Sequence, residues 1–237
     1  MSDRSMMMDD PLDDFAAREI VLDEVGKTVH VAGAGPAVIV MTEMPGISPH
    51  VARFARWVRD AGFTVYLPSL FGRDGAVPDD VAGVTVFRRA CAGAEFRAFA
   101  GNGSSPVTGW LRALARHAHQ ACGGPGVGAI GMCFTGNFAL SMMLEPAMLA
   151  PVLAYRFEGD KFCRAERFAA YARALGDRFL GRVLPDGAAN TDVPPFFARH
   201  VPTPHSVVTA HLIDRAGEPT IAARDEILAF FRRRLLA

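Results

Sequence analysis

The 237-residue chain lacks an excess of either charge: 25 basic and 25 acidic residues cancel. That excludes the basic balance usual in proteins that grip nucleic acid. It lacks an uncharged apolar run of 18 residues, so no membrane-spanning helix is expected. The opening stretch, MSDRSMMMDDPLDD, has neither a basic start nor an apolar core. No secretory signal is read there, and the cytoplasm is the expected location. Cysteine is scarce, and Cys91, Cys122, Cys133 and Cys163 fit neither a CxxC pair nor a zinc framework. Those spacings give no expectation of a metal site, and cytosolic thiols stay reduced, so at least one thiol is free for chemistry.

What is present is apolar surface, half of all residues, enough for one sizeable core. Residues 1–14 are expected to form a disordered acidic tail and residues 15–237 a single domain. REIVLDEVGKTVHVAG reads as an N-terminal antiparallel hairpin around Gly26-Lys27. PAVIVMTE and TVYLPSL read as strands buried on both faces. PHVARFARWVRDAGF, between them, has helical spacing and is stopped by Gly62. Residues 72–103 are rich in glycine and alanine and resist assignment. Beyond them VTGWLRALARHAHQACGG, NFALSMMLEPA, CRAERFAAYARALG and EPTIAARDEILAFFRRRLLA read as helices, and GVGAIGM, VLAYRFEG and FLGRVLP as strands. The alternation predicts an α/β fold with a mostly parallel, doubly wound sheet flanked by helices. Trp57 and Trp110 read as helix-packing anchors, and His117 and His119 as surface residues.

AIGMCFTG, residues 129–136, raises a choice. A cysteine at the end of an apolar strand is most often a small core residue. A strand, a glycine-flanked turn and a following helix are also what a nucleophile elbow requires. Gly131 supplies one small neighbour; Thr135 stands where a second glycine is usual, with Gly136 after it. On an elbow, the helix N-terminus favours a thiolate at Cys133, and the N–H of Phe134 faces a developing oxyanion. In this architecture an acid and then a histidine follow the nucleophile. Asp160, at the end of VLAYRFEG, is the first candidate acid, with Asp186 and Asp192 as rivals. His205, in a loop stiffened by Pro202 and Pro204, is the first candidate histidine. His200 in a plausible helix and His211 in a strand-like alternation compete with it. Cys91 and Cys122 read as helix packing and Cys163 as core filler.

Three segments carry a resemblance to the dienelactone hydrolase family of α/β-hydrolases. They are VIVMTEMPGISPHVARFARWVRDAGFTVYLPSLFGR, GAIGMCFTG and FEGDKFCRAERF; PHS resembles the family's His-Ser pair more weakly. The resemblance spans roughly residues 18–237. It implies an α/β-hydrolase fold, a Cys133–Asp160–His205 triad and no cofactor. It further implies the N–H of Met44 as a second oxyanion donor, and Glu43 as a carboxylate that contacts the resting cysteine and keeps the thiol neutral. The implied activity is hydrolysis of a small-molecule ester or lactone. A thioesterase, a general carboxylesterase and a non-catalytic scaffold sensing oxidant through Cys133 are the alternatives. Oligomeric state is not legible.

Three departures from the family pattern stand out. Only 26 residues separate Cys133 from Asp160, and the junction near Ala154-Tyr155 looks spliced. Either a strand and helix have been lost or a segment is missing from the sequence; the second is favoured, and an intact mass near 25.5 kDa would exclude it. A long loop follows Pro185 and carries Phe196 and Phe197, which are expected to shape a pocket or lid. The arginine that follows the family's catalytic histidine is missing. Arg73, Arg88, Arg89 and Arg97 are the candidate replacements, and Phe71 and Arg73 are placed with Phe196 and Phe197 at the substrate pocket.

Overall fold

The computed structural model describes residues 6–92, 105–143, 145–148 and 151–236. Strands β1 (Ala16–Leu22) and β2 (Val25–Ala32) pair antiparallel, with Leu22 opposite Val25. Their turn is Asp23-Glu24, with φ of 48° and 64°, the left-handed pair that a two-residue turn between twisted strands demands. The hairpin therefore turns before Gly26-Lys27, and Gly26 lies inside β2 opposite Val21.

Strands β3 (Ala37–Met41) and β4 (Thr64–Pro68) are buried at every residue. Along β3, Val38 and Val40 face one core with Phe54 and Phe231, while Ile39 and Met41 face another with Leu111 and Phe138. That is the two-residue period of a strand covered on both sides. Helix α1 (Pro49–Asp60) lies between them in sequence. It starts where Ser48 Oγ accepts the N–H of Val51 at 3.3 Å and Pro49 presets φ. It buries Val51, Phe54, Ala55 and Val58.

Helix α2 (Asp80–Ala92) precedes α3 (Pro106–Cys122), which Ser105 caps and which ends at Gly123 with φ 66°. The proposed cation Arg97 and the side chain of Cys91 fall outside the described residues. Strand β5 (Gly128–Gly131) pairs with β3 in parallel. The first sheet therefore has the order β1-β2-β4-β3-β5. A 3-10 turn, Cys133–Thr135, leads into α4 (Gly136–Met142). Strand β6 (Val152–Phe157), helix α5 (Ala165–Leu175), strand β7 (Phe179–Leu184), helix α6 (Pro195–His200) and helix α7 (Pro219–Leu235) complete the chain. The fold is that of an α/β-hydrolase: a mostly parallel sheet flanked by helices, with an antiparallel hairpin at its start.

The sheet is interrupted. β6 and β7 pair in parallel as a separate two-stranded sheet. Beside β5 only an isolated bridge, Val127 to Met148, is formed among the described residues. β6 itself runs unbroken through Ala154 and Tyr155. The join that looks spliced in sequence lies within a continuous strand, and the discontinuity falls between β5 and β6.

Residues 6–14 are not frayed. Met6 and Leu12 are buried, and Asp10 N–H donates to Gly75 O at 2.8 Å. Arg56 is shared by Asp10 and Asp14, and Arg59 also reaches Asp14. The acidity that resembles a tail is a docking charge, matched by arginines on α1. His211 belongs to no strand. It sits in a buried turn segment, where its N–H donates to Ser206 O at 3.1 Å. No described helix is long and apolar enough to cross a membrane.

Candidate active site

β5 delivers Gly131, Met132 and Cys133 to the C-terminal rim of the first sheet. Cys133 has φ 57°, a region that non-glycine residues enter at a cost and mostly where function requires it. A Cβ on Gly131 would lie 2.1 Å from Thr135 O, so only glycine permits the bend. Gly136 has no such crowding: the nearest atom to a Cβ there is 3.7 Å away. Thr135 itself explains why a glycine is not needed at its position. Its hydroxyl accepts Met132 N–H at 2.8 Å and lies 3.2, 3.1 and 2.9 Å from the carbonyls of Met41, Thr42 and Met132. A buried threonine thus pins the elbow to the end of β3.

Asp160 follows β6 and His205 follows α6, and the two side chains meet. His205 Nδ1 lies 2.7 Å from Asp160 Oδ2, with the side chains 9% and 1% exposed. The other Asp160 oxygen accepts the N–H groups of Phe162 and Cys163 at 2.8 and 3.0 Å. Burial pushes the Asp160 carboxyl up, but His205 and the two backbone donors outweigh it and the net shift is downward. Burial opposes a charge on His205; Cys133 and Asp160 more than offset it, and its affinity for a proton is well above the ordinary imidazole range. Cys133 lies close enough to raise His205 both by charge and as a hydrogen-bonding side chain. The contact falls short of full hydrogen-bond geometry, since His205 Nε2 has no such partner among the described residues, and Cys133 remains solvent-exposed.

The rival residues have other partners. Asp186 accepts the N–H of Gly159 at 2.9 Å and so supports the turn that carries Asp160. Asp192 is exposed beside Asn190. His200 and Arg199 pair with Asp80, joining α6 to α2. His211 accepts the N–H of Ser206 on Nδ1 at 3.2 Å, and burial lowers it to about 4, which keeps it neutral.

Glu43 departs from expectation. It is 1% exposed, and Oε2 accepts the hydroxyl of Ser206 at 2.6 Å. No hydrogen bond joins it to Cys133 among the described residues, and Oε1 has no partner. Burial raises its carboxyl above the usual range, with Ser206, Thr209 and the charge on His205 pulling the other way. The carboxyl is tied to the loop behind His205 rather than to the sulfur.

A cavity of about 940 Å³ opens over the elbow and is lined by Met44, Cys133, Phe134, Asp160, Phe162, His205, Phe196 and Phe197, among others. The two phenylalanines of the long loop do reach it, on α6. Arg73 does not: it is exposed and holds Asp9 at 2.6 Å. Phe71 packs behind Phe134, ring centroids 6.5 Å apart, and is not in the lining. Arg88, on α2, is in the lining and Arg89 is not. Cys163, expected as core filler, is half-buried and also lines the cavity. Sequence reading gave no role to Thr135, Ser206 and Arg156. The last pins the Asp160 turn by donating to Cys163 O and Glu158 O, both at 2.8 Å. Only Ser206 carried a signal, its place next to His205.

The dienelactone hydrolase family profile matches residues 26–162. The chain belongs to the dienelactone hydrolase family. It is accordingly a hydrolase of ester bonds. Solved structures share its fold at low identity. One is a dienelactone hydrolase-like promiscuous phosphotriesterase from metagenomic libraries, 19% identical, TM-score 0.60, covering 94% of this chain and 99% of that one. A cold-adapted esterase from an Arctic intertidal metagenomic library is 12% identical, TM-score 0.57, covering 96% and 97%. A dienelactone hydrolase from Anabaena variabilis is 12% identical, TM-score 0.52, covering 94% and 99%. No curated protein sequence matched the chain.

Proposed function

We propose that this dienelactone hydrolase-family protein cleaves an ester or lactone through Cys133. The observation that carries the reading is the 2.7 Å pair of His205 Nδ1 and Asp160 Oδ2 beside a cysteine held at positive φ. His205 Nε2 takes the thiol proton while the sulfur attacks the carbonyl carbon. Asp160 fixes the imidazole's orientation and stabilises it once charged. The N–H groups of Phe134 and Met44 are the donors for the oxyanion, a type of contact worth roughly 3 kcal/mol when one is removed. Collapse breaks the carbon–oxygen bond, and His205 returns its proton to the leaving oxygen. Water, losing a proton to His205, then attacks the thioester; the carbon–sulfur bond breaks and the sulfur regains its proton. Glu43, bonded to Ser206, holds the loop behind His205. No cofactor takes part in these steps.

In support, the cavity over Cys133 is lined mainly by apolar side chains, as small organic substrates require. Structural relatives include an enzyme named as an esterase and one named as a promiscuous phosphotriesterase. Cys133→Ala abolishes turnover of p-nitrophenyl acetate on this reading. Full retained activity in that variant removes Cys133 from the mechanism.

A further inference from the structure

The interrupted sheet leaves a slot. Consecutive residues of β5, Gly128 to Gly131, and of β6, Val152 to Tyr155, line the same cavity as Cys133. Because side chains alternate across a strand, consecutive lining residues mean that each strand presents its edge to the space. β5 pairs on its other side with β3 and β6 pairs with β7. The walls of the slot are therefore two strand edges. Ile227 and Phe231 of α7 and Phe168 of α5 close it together with Ala129, Ile130 and Leu153. Ala129, Ile130 and Leu153 are only half-buried, although strands in this position are normally covered on both faces.

The slot has a direction and a length. It begins at Cys133, at the end of β5, and runs back along β5 towards Gly128, where Phe231 and Leu235 approach the backbone. At ~3.3 Å per residue, Gly128 to Cys133 spans roughly 16 Å, about the extent of an extended chain of twelve carbons. Past that point the bridge of Val127 to Met148 occupies the strand edge, so the apolar stretch is finite; Arg234, its guanidinium 4.7 Å from the Phe230 ring centroid, also lines the cavity. The aliphatic and aromatic side chains of the lining offer contact to an apolar chain.

We infer that the slot between β5 and β6 is an acyl site, taking the unbranched apolar chain of an ester or thioester whose carbonyl sits at Cys133. The inference rests on the reading of Cys133 as the nucleophile. Burial of each methylene raises kcat/KM by about two- to fourfold, until the chain fills the slot.

Two measurements decide it. In wild type, kcat/KM for p-nitrophenyl esters from acetate to palmitate rises to an optimum near ten to twelve carbons. In Leu153→Trp and Ile130→Phe, made separately in case one fails to fold, the ratio of dodecanoyl to acetyl kcat/KM falls at least tenfold. Binding is read apart from catalysis: dodecanoate displaces 11-(dansylamino)undecanoic acid from Cys133→Ala. A flat or falling chain-length profile overturns the acyl site, and so does failure of dodecanoate to displace the probe. Persistent acetate-ester turnover in Cys133→Ala with intact displacement overturns the nucleophile and leaves the slot standing as a binding site.

Discussion

Replacing Thr135 by valine tests how the elbow is held. Valine keeps the shape and removes the hydroxyl. Met132 N–H, bonded to that hydroxyl at 2.8 Å, becomes a buried donor without a partner, which costs about 1–3 kcal/mol. The hydroxyl has one proton to give, so of the three carbonyls around it only one net bond is lost, about 1 kcal/mol more. The total is roughly 2–4 kcal/mol, or a Tm drop of about 6–12 °C for a domain of this size. Thr135→Ser keeps the hydroxyl and loses one buried methyl, about 1 kcal/mol. Urea unfolding of the three proteins, with unchanged slope as the check on two-state behaviour, gives the order wild type, serine, valine. A valine variant as stable as the serine variant refutes the hydroxyl as the pin.

His50 and His211 are buried, and both are lowered to about 4, by burial first and then by neighbouring positive charge. The unfolded chain binds those protons near 6.5, so stability present above that pH is lost as pH falls towards 4, by up to about 3 kcal/mol per histidine. His50→Gln makes the slope of stability against pH shallower by about one proton between pH 6.5 and 4; an unchanged slope contradicts the neutral burial of His50. Arg56→Met strands Asp10 and Asp14, whose carboxyls the arginine helps hold below the usual range. It destabilises the fold by about 1–3 kcal/mol at pH 7. Because those carboxyls bind protons more weakly folded than unfolded, the wild-type advantage shrinks progressively as pH falls below about 4; an advantage undiminished between about pH 5 and about pH 2 argues against the pairing.

Much of this was legible in the sequence because the signals are local. Apolar runs became β3 and β4, and the helical spacing of PHVARFARWVRDAGF and the glycine stops at Gly62 and after Cys122 marked α1 and α3. Gly131-x-Cys133 between strand and helix marked the elbow, and the order acid-then-histidine pointed to Asp160 and His205 ahead of four rivals. What the sequence hid was long-range pairing. The acidic start reads as solvated until Arg56 and Arg59 are found opposite it. Thr135 reads as a flaw until the carbonyls of β3 surround it. Glu43 finds Ser206, 163 residues away, and Arg73 is drawn to Asp9 instead of the cavity. The gap between β5 and β6 is a property of two strands that fail to meet, which no single stretch of residues encodes.

The most direct test of the account is to catch the sulfur acylated. The protein is mixed with p-nitrophenyl dodecanoate, quenched in acid within the first turnovers, digested, and the peptide carrying Cys133 is weighed. The account predicts an added dodecanoyl mass on Cys133 in wild type that fades as turnover ends, and far slower labelling in His205→Ala. Rapid hydrolysis with Cys133 never carrying the acyl group contradicts it.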